Sequence, residues 1–164
     1  MGTRVHGYIT KIEFLLIIKT KKTMTLPRGI RNHNPLNIRR TGDQWQGLAA
    51  TQSDPAFCQF KSLEWGWRAA FCLLTKTYYA KYHLTTIRTI VSRWAPEADH
   101  NDTRAYIANV SRLTGIATDE PLGNPQEHPA RWMMLGAAMA IQENGTQSLD
   151  YFAMLHGWSL CWQG

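Results

Sequence analysis

Apolar residues recur every three or four positions along most of the chain after residue 61, which is the spacing of an amphipathic α-helix. Five helices are predicted from this spacing: residues 62–82, 85–94, 101–115, 130–145 and 148–160. Ser62 is a good residue to begin the first helix, Pro96 stops the second, and Gly115 ends the third. The stretch at 130–145 is apolar on nearly every side, so we expect a buried central helix there.

The first third of the chain shows neither a helical nor a strand period. Residues 41–60 are predicted to form a loop with a short irregular hairpin. Residues 28–40, RGIRNHNPLNIRR, place three Asn and four Arg around a Gly and a Pro, which is typical of a structured turn. The chain of 164 residues is long enough for one domain with a substantial core. We therefore predict a single, mainly α domain with a loop-rich N-terminal third and a small β-hairpin.

Residues 1–23 are predicted to be a basic extension of a domain that covers residues 24–164, with Met24 as a natural start. The aliphatic run FLLII at 14–18 is too short to span a membrane, and no small-residue cleavage site follows it. Neither a membrane span nor an export signal is therefore expected.

Positive charge is concentrated at one end of the chain. Residues 1–40 carry nine Lys and Arg and one acid, whereas residues 41–164 carry nine Lys and Arg and eleven acids. The basic segment attracts any polyanion, whether nucleic acid, anionic lipid or an acidic cell-wall polymer. The nearly neutral body argues against nucleic-acid binding as the main function.

The three cysteines, Cys58, Cys72 and Cys161, are odd in number and follow no metal-ligand spacing. Two of them have apolar neighbours, so we expect buried free thiols and no disulfide framework. No zinc or calcium motif is present, and neither a metal nor another cofactor is predicted.

Glu143 is the first candidate for chemistry, because it lies in the last turn of the most apolar predicted helix. Partial burial and the negative end of the helix dipole both favour the protonated carboxyl there. A protonated carboxyl is what a general acid needs to protonate a leaving oxygen, such as that of a glycosidic bond. The alternative is a solvated glutamate at an ordinary helix end.

Two further groups could serve the same site. Glu64 lies in the first turn of a helix, where the dipole favours the carboxylate and suits a base or an electrostatic stabiliser; helix capping explains it equally well. Trp94 offers a flat apolar face for a sugar ring, and Asn101 supplies a nearby amide. The alternative is that Trp94 belongs to the core and that a helix begins at Asn101 or Asp102.

The amides of the 28–40 loop suit a polar ligand. Asn32, Asn34 and Asn37 both donate and accept hydrogen bonds, as hydroxyl and acetamido groups require. Arg31, like the other arginines of the loop, could meet a carboxylate of a substrate. The alternative is that the asparagine side chains tie the loop to its own backbone, and both roles are compatible.

Five stretches of the sequence resemble a phage and prophage protein family: RGIRNHNPLNIRR, WQGL, FCQFKSLEWGWRA, RWAPEADHNDTRAYI and AMAIQENG. Members of that family carry an R-G-I-R-N-N-N-P-G-N-I-R loop and are often described as virion structural proteins. The loop and its following helix are also similar to the N-N-x-F-G-I-K region of bacterial glucosaminidases and other lysozyme-like enzymes. The resemblance runs from about Pro27 to Gly145.

This resemblance implies a lysozyme-like domain that cleaves the glycan strands of peptidoglycan, by hydrolysis or by lytic transglycosylation. In lysozyme-like enzymes the catalytic glutamate usually ends a helix that precedes the Asn-rich loop, whereas here Glu143 follows it. We therefore expect a permuted order, in which Glu143 meets the loop in space and acts as the acid. Glu64 would be the second carboxylate if water is the nucleophile, and the asparagines and Arg31 would hold the substrate.

The competing interpretation is a non-catalytic virion structural or cell-wall-binding protein, with other virion proteins as partners. In either case the chain would be made in the bacterial cytoplasm. It would act at the cell wall or periplasm, or within a phage particle.

Overall fold

A computed structural model of the chain describes residues 25–145 and 149–163. Within these ranges six α-helices form the architecture: α1 Arg28–Arg31, α2 Leu63–Cys72, α3 Ile87–Trp94, α4 Thr103–Thr114, α5 Pro129–Asn144 and α6 Tyr151–Trp162. A π-helix, Leu73–Lys81, continues α2, and a 3₁₀ turn, Glu97–Asp99, links α3 to α4. The predicted mainly α fold is confirmed, because each of the five helices expected from apolar spacing is present.

The predicted extension at residues 1–23 and the predicted start at Met24 lie outside the described residues. In the part of the chain that is described, no helix is both long enough and apolar enough to cross a bilayer.

Side-chain caps fix where three of the helices begin. Thr86 accepts a hydrogen bond from the backbone N–H of Thr89, and the Thr89 side chain accepts one from the backbone N–H of Thr86. Asp102 and Asp150 each accept from a backbone N–H in the first turn of α4 and α6. These oxygens satisfy N–H groups that the helix itself leaves without partners. The helices therefore begin two or three residues later than their apolar spacing predicts.

The core is built around α5 and the contact between α2 and α6. Trp132, Leu135 and Met139 of α5 are fully buried, as expected for a helix that is apolar on nearly every side. On α6, a Cβ at Gly157 would overlap the Trp67 side chain of α2. The lack of a side chain at this position therefore lets the two helices approach closely.

The loop-rich N-terminal third contains very little β-structure. Two isolated antiparallel bridges, Arg39 with Phe57 and Leu48 with Phe60, are present, and the described residues contain no regular strand. The predicted hairpin is thus reduced to two bridges. Side chains such as Asn34, which bond to main-chain groups of the same region, supply additional order to its backbone.

Candidate functional site

A cavity of about 300 Å³ lies between the 28–40 loop, the end of α3 and the last turn of α5. This volume is at the lower end of the range for small-ligand sites. Aromatic and aliphatic side chains form much of the wall, including Trp45, Phe57 and Tyr78. The polar groups on the wall are Asn37, Arg39, Thr41, Asp43, Asp99, Asn101 and Glu143. Apolar walls combined with converging polar groups are a usual form of binding site, and here polar residues make up nearly half of the lining.

Glu143 is held at this cavity by three hydrogen-bond donors from three different parts of the chain. The Asn37 Nδ2 donates to Oε2 at 3.2 Å. The Trp94 Nε1 and the Tyr106 hydroxyl both donate to Oε1 at 3.0 Å. The carboxyl is only partly exposed, so its position is fixed on both oxygens. Glu143 therefore does not project into bulk solvent as an ordinary helix end would.

Tyr106 is a donor that sequence reasoning missed. Burial raises the pKa of its phenol well above the ordinary value, and the negative charge of Glu143 raises it further. The hydroxyl therefore keeps its proton and remains a donor throughout the physiological pH range. Its position in the sequence could have identified it, because Tyr106 lies on the buried face of α4 with Ile107 and Val110. A buried phenol usually needs a polar partner.

Asn144, the neighbour of Glu143, fastens the end of α5 to the loop backbone. Its Nδ2 donates to the carbonyl of Pro35 at 2.9 Å and to that of Ala140 at 2.8 Å. Asn37 adopts a positive φ of 51°, a left-handed conformation that Asn tolerates better than most residues. The consecutive α5 residues Glu143 and Asn144 thus bind Asn37 and Pro35 of the same loop.

The three asparagines predicted to bind substrate have different positions. Asn37 lines the cavity. Asn34 is fully buried: its Nδ2 donates to the carbonyls of Ile38 at 3.0 Å and Cys58 at 2.9 Å, and its Oδ1 accepts from the Ile38 N–H at 2.8 Å. All the side-chain bonds of Asn34 are used inside the protein, so it ties the loop together instead of facing a ligand.

Asn32 has a similar supporting position. Its Nδ2 donates to the Asp54 carboxylate at 2.8 Å. The Arg28 guanidinium donates to the same carboxylate through Nε at 2.7 Å and Nη2 at 2.6 Å. The bond from Arg28, followed by those from Asn32 and the backbone N–H groups of Ala56 and Phe57, holds the pKa of Asp54 well below its usual range. These contacts join the start of the loop to the 41–60 segment.

Arg31 does not line the cavity, and its Nε donates to the carbonyl of Leu26 at 3.0 Å. Arg39, eight residues further along the same loop, lines the cavity. Its guanidinium carbon lies 5.6 Å from the centre of the Phe57 ring. The arginine positioned to meet an anionic group in this cavity is therefore Arg39.

Glu64 is also apart from the cavity. It lies in the first turn of α2, where a hydrogen bond from Ser62 lowers the pKa of its carboxyl, assisted by the backbone and by His156 and His33. Ser62 makes no side-chain capping hydrogen bond to the helix backbone, so the predicted capping box is absent and Glu64 only places a negative charge in the first turn of α2. Two other carboxyls that sequence analysis did not select as catalytic, Asp43 and Asp99, line the cavity with Glu143.

Trp94 and Asn101 both line the cavity, as a ligand-binding role requires. Trp94 is partly buried and its ring packs edge-on against Tyr78 at 6.3 Å. The Nδ2 of Asn101 donates to the Pro96 carbonyl at 3.1 Å. Among the described residues, no cluster of three or more His, Cys, Asp or Glu side chains is arranged to hold a metal ion.

The described residues thus define a mainly helical domain whose cavity is lined by a glutamate that is held by an amide, an indole and a phenol. No family model matches the chain. The chain is 42% identical over 127 residues to Protein P5 of Pseudoalteromonas phage PM2, and the alignment covers 76% of this chain and 75% of that protein. The chain therefore belongs to the family of this phage protein. The predicted likeness to a phage family is confirmed, whereas the likeness to lysozyme-like enzymes stays a prediction.

Proposed function

We propose that this phage-family protein cleaves the glycan strand of peptidoglycan, with Glu143 as the general acid. The observation that carries the proposal is the fixed position of this carboxyl at the cavity, with donors on both oxygens. The three donors are already placed to stabilise the carboxylate that remains once the group has given up its proton.

In the proposed reaction the Glu143 proton passes to the glycosidic oxygen between two amino sugars as the bond from that oxygen to the anomeric carbon breaks. The bonding electron pair leaves with the oxygen, and Glu143 becomes a carboxylate. Asn37, Trp94 and Tyr106 then stabilise the new negative charge, because all three donate hydrogen bonds to it.

The positive charge left on the sugar needs a nucleophile. In a reaction that uses a single protein carboxyl, the 6-hydroxyl of the substrate attacks the anomeric carbon and gives its proton to the Glu143 carboxylate. Alternatively, the oxygen of the N-acetyl group attacks and forms an oxazolinium ion, which a water molecule that gives its proton to Glu143 then opens. If water is the nucleophile instead, Asp43 and Asp99 replace Glu64 as candidates for the second carboxylate, because both line the cavity. The separation between the two carboxyls would then determine whether the configuration is retained or inverted.

The same cavity offers groups that fit an amino-sugar polymer. The part of Trp94 that lines the cavity suits a sugar ring, and the Asn101 amide suits a hydroxyl or acetamido group. Arg39 would pair with a carboxylate of the lactyl group or peptide stem.

A second candidate function is a non-catalytic virion component that binds the cell wall or other virion proteins. The observation that favours it is the membership of a phage protein family. In that case the cavity would bind glycan without turnover.

Zymography on purified bacterial cell walls, from acidic to neutral pH, separates the two functions. We expect clearing by the unmodified protein and by Glu64→Gln, which alters a glutamate outside the cavity. We expect no clearing by Glu143→Gln. Absence of clearing by the unmodified protein, together with its sedimentation with insoluble walls, would establish the binding protein instead.

A further inference from the structure

Two of the three cysteines meet in the core, although 89 positions separate them in the sequence. Cys72 is the last residue of α2 and Cys161 lies in the last turn of α6. Their Sγ atoms are 2.6 Å apart. Both residues are buried, with 7% and 0% of their surfaces exposed. Cys58 lies elsewhere, with its Sγ 3.6 Å from the carbonyl oxygen of Arg39.

The packing of α2 against α6 places Cys72 beside Cys161. One helical turn before Cys161, Gly157 lies against the Trp67 side chain and the Arg68 backbone. Cys72 follows these residues by about one turn on α2. α2 and α6 therefore run parallel from the close contact at Gly157 to the cysteine pair. The contact at Gly157 thus helps to fix the positions of both cysteines.

The surroundings of the pair favour the chemistry of a thiolate. The hydrogen bond between Cys72 and Cys161 and the positive charges of Arg68 and Lys76 lower the pKa of the Cys72 thiol. The Lys76 Nζ also donates to the Cys161 carbonyl at 2.7 Å, which keeps this positive charge beside the pair. The thiolate is the form that attacks a disulfide.

We propose that Cys72 and Cys161 form a disulfide when the protein is in an oxidising environment. The oxidant is a disulfide, such as glutathione disulfide or the active-site disulfide of a thiol oxidase. The Cys72 thiolate attacks one sulfur of the oxidant and releases the other as a thiolate. The Cys161 thiol then loses its proton and attacks the Cys72 sulfur, which releases the second oxidant thiolate. Two electrons pass to the oxidant, and the two protons lost by Cys72 and Cys161 protonate the two thiolates that the oxidant releases.

The predicted bond closes a loop that includes most of the described domain. Cross-links across long loops restrict the unfolded chain most. The bond ties α6 to α2, so it also secures the last helix. The sequence-based expectation of three free thiols would then hold for Cys58 alone. Because both sulfurs are buried, we expect the exchange to occur during folding or on transient opening of α6, and to be slow in the folded state.

Thiol counting on the complete protein tests the proposal. Protein equilibrated with glutathione disulfide is denatured, alkylated and weighed by mass spectrometry, beside a sample kept in dithiothreitol. We expect one alkylated cysteine in the oxidised sample and three in the reduced sample. Digestion without reductant should give a peptide pair joined through Cys72 and Cys161. Three alkylated cysteines in both samples, or a bond that involves Cys58, would overturn the proposal.

Thermal unfolding supplies an independent readout. We expect the oxidised protein to unfold about 5–15 °C above the reduced protein, from the typical stabilisation by a disulfide and the size of the domain. The matched control, Cys58→Ala, should keep this difference, whereas Cys161→Ala should lose it. A difference that survives in Cys161→Ala would contradict the assignment. If either variant fails to fold, the peptide pair from the unmodified protein decides the question.

Discussion

Asn34 provides the sharpest test of how the 28–40 loop is held. Asn34→Ala removes the three side-chain hydrogen bonds to Ile38 and Cys58. It keeps the backbone bonds, including that from the Asn34 N–H to the carbonyl of Gly29 at 2.7 Å. The change therefore isolates the contribution of one fully buried amide.

The expected cost follows from the number and burial of these bonds. Each hydrogen bond contributes about 0.5–1.5 kcal/mol net, so the three together contribute about 2–4 kcal/mol. The Ile38 N–H and the two carbonyls lose these partners in the protein interior, which moves the expected cost toward the upper end of that range. A loss of about 3–4 kcal/mol is a large fraction of the stability of an ordinary domain.

Urea denaturation, followed by the fluorescence of the seven tryptophans, measures this cost. The midpoint should fall while the dependence on urea concentration stays the same, because the surface exposed on unfolding hardly changes. The matched control is Asn109→Ala, which removes one bond from an amide to Gln142 at the surface. We expect the control to change the free energy of unfolding by no more than about 0.5 kcal/mol.

Asn34→Asp tests the donor role of the Asn34 side chain separately from its acceptor role. It keeps an acceptor for the Ile38 N–H but replaces the donor that serves the two carbonyls with a second oxygen. Burial against carbonyls favours the protonated carboxyl in the folded protein, so folding should raise the pKa of this group. The variant should then become less stable as pH rises above the usual range of a carboxyl.

The alternative interpretation is that Asn34 faces a ligand. It requires Asn34→Ala to weaken binding to cell walls while it leaves stability nearly unchanged. A loss of less than about 1 kcal/mol in the urea experiment, well below the sum expected for three buried bonds, would refute the structural role of Asn34.

Three further predictions concern the cavity and its support. Asp54→Asn should be less stable than the unmodified protein at neutral pH. The gap in Tm should narrow as pH falls from about 5 toward 3, because the unfolded chain takes up a proton on Asp54 at the ordinary carboxyl pKa, whereas Arg28 holds the pKa of Asp54 in the folded protein well below that range. A constant gap would contradict this. If the proposed activity is present, Tyr106→Phe should slow wall clearing by about 10- to 100-fold, because it removes a hydrogen bond to charged Glu143; an unchanged rate would exclude this role. Arg39→Gln should raise KM for peptidoglycan but not for chitin oligosaccharides, which lack carboxylates, and equal effects on both substrates would argue against carboxylate recognition.

The helices could be predicted from the sequence because their signals are local. Apolar spacing and capping residues such as Asp102 act within one or two turns, so the predicted and observed ranges agree apart from their ends. The π-helix after Cys72 was not predicted. The nine residues of that segment show almost no apolar periodicity at the α-helical spacing, so the pattern could not indicate where the α-helix gives way to the i→i+5 bonds of a π-helix.

The roles of the three asparagines could not be separated in the same way. Asn32, Asn34 and Asn37 have the same chemistry and lie within six positions, yet one pairs with Asp54, one is enclosed, and one reaches Glu143. These differences depend on contacts with segments 22 to 106 residues away. A sequence pattern shows what a side chain can bond with but not which distant partner it meets.

The two candidate glutamates illustrate the same limit. Glu64 and Glu143 both lie at helix ends, and the local dipole argument applies to each. Only the tertiary packing brings Glu143 to Trp94 and Tyr106 and leaves Glu64 beside Ser62. The candidate acid is therefore identified by how the helices pack together and not by the position of the glutamate within its own helix.

The double attachment of the loop to Glu143 and Asn144 also has a consequence for timing during synthesis. The ribosome makes the loop early, but the carboxyl and the amide that complete its surroundings are added more than a hundred residues later. Until α5 has left the ribosome and packed, the nascent chain has the amides of the cavity without its acid. The proposed activity therefore cannot appear in the nascent chain before residues 143 and 144 have been translated and α5 has packed against the loop.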